Sequence, residues 1–200
     1  IITMAELGLS RILLDQGDFE ASEERIRRVL HFADKHKDNK MAITALHHLC
    51  ATAWEQGNLD QCELLANLGL QRATKPDIAR AQVLLSIGAI DAVRGRIYQA
   101  EEHMQEAIQI FTKLRHKKKL ATVLANLSEV QFWQGKFMLA MENIQKSINT
   151  SQDIFNRLGL SHGLLTKSIV FFHLGMLSES QKFLDDGMEI SCDLKNQSNI

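Results

Sequence analysis

The chain has 200 residues, 45% of them apolar and 24% charged, with acids and bases interleaved to a formal net charge of −1. That is enough chain for a continuous core and too even a charge for generic attraction to nucleic acid or to an anionic membrane. No apolar run approaches the ~20 residues that span a bilayer. Three cysteines, an odd number without metal-ligand spacing, fit a reducing, cytoplasmic compartment.

One Pro and 11 Gly are few, and Ala, Leu, Gln, Glu and Lys dominate. That composition favours helix when summed over long windows, so the expected fold class is all-α. In chain order, helices are predicted near 3–16 and 19–36, 40–56 and 59–73, 77–94 and 97–115, 118–134 and 137–154, and 158–174 and 177–194. Pro76 is expected in the first turn of the third pair's opening helix, where its missing N–H is not needed. Connectors such as Lys37-Asp38-Asn39 are short and polar, as adjacent antiparallel helices require.

Five glycines punctuate the pairs: Gly17, Gly57, Gly95, Gly135 and Gly175, spaced 40, 38, 40 and 40 residues apart. A fixed period of this size marks a solenoid. Two residues after each Gly stands a large apolar residue: Phe19, Leu59, Ile97, Phe137 and Leu177. Five after it stands a small one (Ser22, Cys62, Ala100, Ala140, Ser180), and seven before it another (Ser10, Cys50, Gly88, Ser128, Ser168). Gly tolerates the left-handed conformation that ends a helix. Asp18 and Asn58, directly after two of the glycines, suit N-caps of the following helices. Small residues on both sides of the turn permit a close helix crossing, near the low end of the ~8–10 Å range.

This pattern resembles the tetratricopeptide repeat (TPR) family, most strongly at Gly135-Lys-Phe137 with Ala140 and over about residues 3–195. The family's Trp in the first helix is replaced by Leu46, Leu84, Leu124 and Leu164, and Lys167 takes a usually apolar place in the last copy. The resemblance implies a right-handed superhelical solenoid of about five antiparallel helix pairs in a single domain spanning 1–200. Its units lie at about 3–36, 40–73, 77–115, 118–154 and 158–194. The long period is similar to the sensor or scaffold arrays of maltose-regulator-like signal-transduction ATPases and to peptide-sensing bacterial regulators. Ile1-Ile2 and Met4 have no preceding unit to cover them, and the chain runs out at 195–200 without a polar cap. A piece of a longer protein, or an end-to-end homodimer, would account for both.

Motifs that would carry catalysis are not found, so an enzyme, a cofactor or a metal site is not expected. His47 and His48 are adjacent and point about 100° apart on a helix, unlike metal ligands four residues apart. Glu101-Glu102 and Asp185-Asp186 read as solvated charge on outer helices. Cys50 and Cys62 fill both small positions of one unit and read as packing residues, with a redox link as the rival. Arg115-His116-Lys117-Lys118-Lys119 is the only dense basic run. It reads as a solvated connector, with an acidic partner or a nucleic-acid backbone as the sharper alternative.

In a stack of helix pairs the first helices line the inner groove. Counting two, three, six, nine and ten residues back from each Gly selects their free face. It holds the candidate partner-binding set Arg11, His47, His48, Trp54, Glu55, Leu85, Asn126, Glu129, Phe132, Trp133, Thr166, Ile169, Phe172 and His173. Leu7, Leu14, Ala89, Ala92, Ala125 and Leu165 complete the stripe. Large aromatics with a few polar neighbours serve as anchors in interfaces. TPR co-chaperones that clamp an acidic tail carry Lys, Arg and Asn at these places, but here only Arg11 is basic. The expected partner is therefore a protein or an apolar or mixed peptide, without a membrane and without nucleic acid for this segment. The alternative is a small-molecule or signalling-peptide sensor domain of a transcriptional regulator.

Overall fold

The computed structural model describes residues 2–198, with side chains from Thr3 to Lys195. Ile1, the Ile2 side chain and the polar tail after Lys195, on which the end-to-end dimer expectation partly rested, lie outside that description. Among the described residues there are ten helices and no strand. They are α1 (Ile2–Asp15), α2 (Phe19–Lys35), α3 (Asn39–Glu55), α4 (Leu59–Arg72), α5 (Ile78–Val93), α6 (Ile97–Lys113), α7 (Lys117–Trp133), α8 (Phe137–Asp153), α9 (Arg157–His173) and α10 (Leu177–Ser198).

The chain divides into two compact units, Ile1–Arg94 and Gly95–Ile200. In the first, α1 packs on α2, α3 on both α2 and α4, and α5 on both α3 and α4. Its core joins Leu7, Ile26, Val29, Leu46, Leu49, Leu65, Val83 and Ile90, among others. In the second, α7 packs on α6, α8 and α9, and α9 on α8 and α10. Ala125, Ile144 and Ile148 form one buried cluster there, and Phe132, Ala140 and Val170 another. No described helix is long and apolar enough to cross a membrane.

The glycine turns follow from backbone chemistry. All five period glycines have positive φ, between 72° and 81°. At Gly17 the glycine N–H donates to Leu14 O at 3.0 Å and the Asp18 N–H to Leu13 O at 2.9 Å, the two reversed bonds of a Schellman motif. The Asp18 and Asn58 side chains then accept from Ala21 N and Gln61 N, capping α2 and α4. The same turn closes α2, α6 and α8, but with Lys37, Arg115 and Phe155 at φ 56°, 54° and 53°. Those three connectors are strained turns rather than plain polar links.

One boundary differs from expectation. Pro76 precedes α5 instead of entering its first turn, because the Asp77 carboxylate accepts from Arg80 N and sets the cap there. The 38-residue step arises because α4, with 14 residues, and α5, with 16, are shorter than α2 and α3, with 17 each, while the connector 73–77 is longer than 36–38.

The small residues around the turns do more than permit close approach. Ser22 Oγ donates to Ser10 O at 2.9 Å, Cys62 Sγ to Cys50 O at 3.2 Å, and Ser180 Oγ to Ser168 O at 2.9 Å. Each ties the second helix to the backbone of the first with a buried bond worth ~0.5–1.5 kcal/mol. Both thiols are free and buried. Burial pushes Cys50 up to about 12, with Cys62 adding to the effect, and burial raises Cys62 as well. Neutral, packed thiols are what this crossing contains.

Lys167, out of place by the family pattern, lays its Nζ 4.4 Å from the Phe183 ring centre and donates to Gln145 Oε1 at 3.0 Å. Glu101 is not solvated charge. Its side chain is 12% exposed and accepts from Lys136 Nζ at 2.6 Å and from Gln131 Nε2 at 3.3 Å. Burial opposes its ionisation, but Lys136, Gln134 and Gln131 together hold the carboxyl below its usual range.

Candidate functional site

The candidate face separates by register. Residues six and two before each Gly are mostly exposed: Arg11, Glu129 and Ile169 at the first, Glu55, Trp133 and His173 at the second. Positions nine and ten before it turn towards the neighbouring first helix. Leu85 and Thr166 are buried, and His47, His48 and Asn126 are half-buried. The position three before varies: Trp54 and Phe172 are exposed, whereas Phe132 is 8% exposed and packs among Ala140 and Val170. Phe132 and Thr166 therefore contribute to packing, not to a free surface, and Leu85 shows only an edge. The cause is that α3 packs on α5 and α7 on α9, so within each of these pairs the facing sides of the two first helices cover one another.

In the first unit, α3 and α5 leave an open cleft of about 170 Å³ lined by Cys50, Ala51, Trp54, Glu55, Leu85, Ser86 and Ala89. Its lining is apolar apart from Glu55 and Ser86. Ser86 Oγ lies 3.2 Å from His47 Nδ1, which fixes the half-buried imidazole. The His47 and His48 rings stand 6.1 Å apart and 80° to one another. Arg11 pairs with Asp15 one turn on, at 3.1 Å, and both are exposed.

In the second unit the ends of α7 and α9 meet in a ring cluster centred on His173. Its imidazole lies 5.0 Å from Trp133, 5.5 Å from Phe132 and 5.6 Å from Phe172, measured between centroids. Phe137, from the start of α8, backs Phe132 at 5.4 Å. Trp133 and Phe172 remain 54% and 60% exposed. Such rings held edge to face are pre-positioned, so little side-chain freedom is left to lose on binding. Glu129, one turn before Trp133, supplies a carboxylate beside them. Counting from Gly located Trp133, Phe172 and His173, but not Phe137, Met138 or Leu177, which are also exposed. For Phe137 and Leu177 the signal is the large apolar residue two after each Gly, and Met138 carries none.

No protein-family model matches the chain, and no curated protein matches its sequence. Solved structures are similar in fold. BtubC (BKLC) from P. vanneervenii superposes with a TM-score of 0.74 at 17% identity, over 94% of this chain and 78% of that one. A signal transduction ATPase with numerous domains and a tetratricopeptide repeat sensor, from Pyrococcus horikoshii, gives 0.73 at 12% identity, over 98% of this chain and 30% of that one. A Rap protein complexed with Competence and Sporulation Factor gives 0.70 at 12% identity, over 96% and 64%. At such identities the likeness defines the fold: this chain is a TPR-type helical repeat.

Proposed function

We propose that the chain is a protein- or peptide-binding scaffold or sensor module of a larger regulatory protein, gripping apolar side chains on its first helices. The carrying observation is the exposed ring cluster of Trp133, Phe172 and His173. Aromatic residues held rigidly beside a polar rim are the commonest energetic centres of interfaces. The cleft beside Trp54 supports the same reading, since a cavity of ~150 Å³ already takes a benzene-sized group. It accepts one leucine- or phenylalanine-sized side chain. Peptides selected from a displayed random library against the full chain provide the probe. Trp133→Ala with Phe172→Ala should weaken the selected peptides by ~2 kcal/mol or more, with the helical circular dichroism unchanged. Unchanged affinity in the folded variant, or a library that enriches nothing, would overturn this function.

A signalling-peptide or small-molecule sensor is the second reading, favoured by the apolar Trp54 cleft and by the Competence and Sporulation Factor complex named for the similar Rap structure. A ligand held there should change Trp54 fluorescence and be lost in Ala51→Phe, whereas a scaffold partner should depend on Trp133.

A further inference from the structure

The basic run takes no part in either face. It sits at the corner between α6 and α7: Lys113 ends α6, Arg115 stands at φ 54°, His116 caps α7 by accepting from Lys119 N, and Lys117–Lys119 form the first turn. No Asp or Glu lies between Glu106 and Glu129. Lys113, Arg115, Lys117 and Lys118 are exposed, and among the described residues none of these four is engaged in a salt bridge. Cations in the first turn of a helix oppose its dipole. The sister corners carry only one first-turn cation each, Lys40 and Arg157, with a carboxylate as cap or partner. Asp38 caps α3 while Asp34 pairs with Arg72, and Arg157 at the start of α9 pairs with Asp193. Helix stability therefore gives no reason for the run.

One repeat further, at the corner between α8 and α9, Phe155 and Leu158 are exposed at 92% and 63%. Leu160 and Leu164 of α9 pack against the cluster that holds Ala125 of α7, and Phe132 and Trp133 meet His173 further along, so the two helices run parallel and begin at the same edge of the unit. Leu114 is exposed on the α6–α7 corner itself. Uncompensated cations and bare aromatic and aliphatic side chains thus share one edge of the unit.

We propose that this corner is a second docking site, for a short acidic segment of a partner protein. Its Asp and Glu side chains meet Lys113, Arg115, Lys117 and Lys118, and an apolar side chain rests on Phe155 and Leu158. An extended polyanion fits less well. The same unit exposes Glu142, Asp185, Asp186 and Glu189 on α8 and α10, and at physiological salt the corner's field reaches only about 8 Å. A duplex or an anionic bilayer spreads its charge far beyond that range and encounters those carboxylates. A short segment meets the corner alone.

Fluorescence anisotropy on the full chain tests this. The probes are a labelled peptide of Asp and Glu around one central Leu, its Asn and Gln counterpart, a labelled DNA duplex, and vesicles containing phosphatidylserine. The acidic peptide should bind, with an affinity that falls as salt rises, and its neutral counterpart should bind about tenfold more weakly. Lys117→Glu with Lys118→Glu should cost about tenfold in affinity for the acidic peptide. Phe155→Gly is the second variant: it should melt at a higher temperature yet hold the acidic peptide less tightly, a combination that misfolding cannot produce. No binding of the acidic peptide, equal binding of both peptides, or equal binding by parent and charge-reversed chain overturns the proposal. Tighter binding of the duplex or the vesicles, lost in the same charge-reversed variant, also overturns it and makes the corner a generic polyanion surface.

Discussion

Phe155→Gly isolates backbone strain from packing. Phe155 sits at φ 53° in a turn closed by its own N–H donating to Gln152 O at 3.0 Å and by Asn156 N–H donating to Ser151 O at 2.8 Å. A residue with a Cβ loses roughly 1–2 kcal/mol in the left-handed region. Its ring is 92% exposed, so removing it forfeits almost no buried area. The greater freedom of Gly in the unfolded chain takes back about 0.5–1 kcal/mol. The net expectation is a stabilisation of about 0.5–1 kcal/mol, or roughly 1–4 °C in melting temperature for a chain of this length. Urea and thermal unfolding of Phe155→Gly, with Phe155→Ala as control, measure it. Ala keeps the Cβ and should gain nothing. A glycine variant no more stable than the parent would refute the strain account, and an equal gain in the alanine variant would move the cause from the backbone to the ring.

Ala140 is fully buried beside Phe132 and Val170, so Ala140→Leu should overpack the α7–α8 crossing and lose ~1–3 kcal/mol in a thermal melt; an unchanged melt would argue against that contact. The Cys50 thiol, raised from 9.0 to about 12 by burial, stays protonated in the folded chain where the unfolded chain ionises. Its contribution is complete below pH about 9 and is lost as pH rises from there towards about 12. The parent's urea midpoint should therefore fall more steeply above pH about 9 than that of Cys50→Ala, and parallel slopes would contradict the assignment.

Much of the fold was legible because it is written in local chemistry. Helix limits agree with the periodicity to within two residues at every boundary but the end of α10. The five glycines adopt positive φ, and Asp18 and Asn58 cap as their positions imply. The connectors at Lys37, Arg115 and Phe155 were not legible as left-handed turns, since nothing in a Lys, Arg or Phe announces positive φ. Glu101 was misjudged for a related reason. Its partners Gln131 and Lys136 are 30 and 35 residues away, beyond any window in which charge patterning is read.

The candidate site divides along the same line. A helical period placed Trp54, Trp133, Phe172 and His173 on one side of their helices, because a face is a property of neighbours three and four residues apart. Whether that side is bare depends on a helix one period away. Phe132 and Trp133 are adjacent in the chain, yet packing against Ala140 and Val170 hides one ring and leaves the other half open. From the sequence alone came the all-α class, the five turns and the register of the helix pairs, all set by contacts within a few residues. Only the tertiary structure decided which residues of each stripe face solvent, because burial is settled by side chains roughly forty positions apart that no local pattern connects.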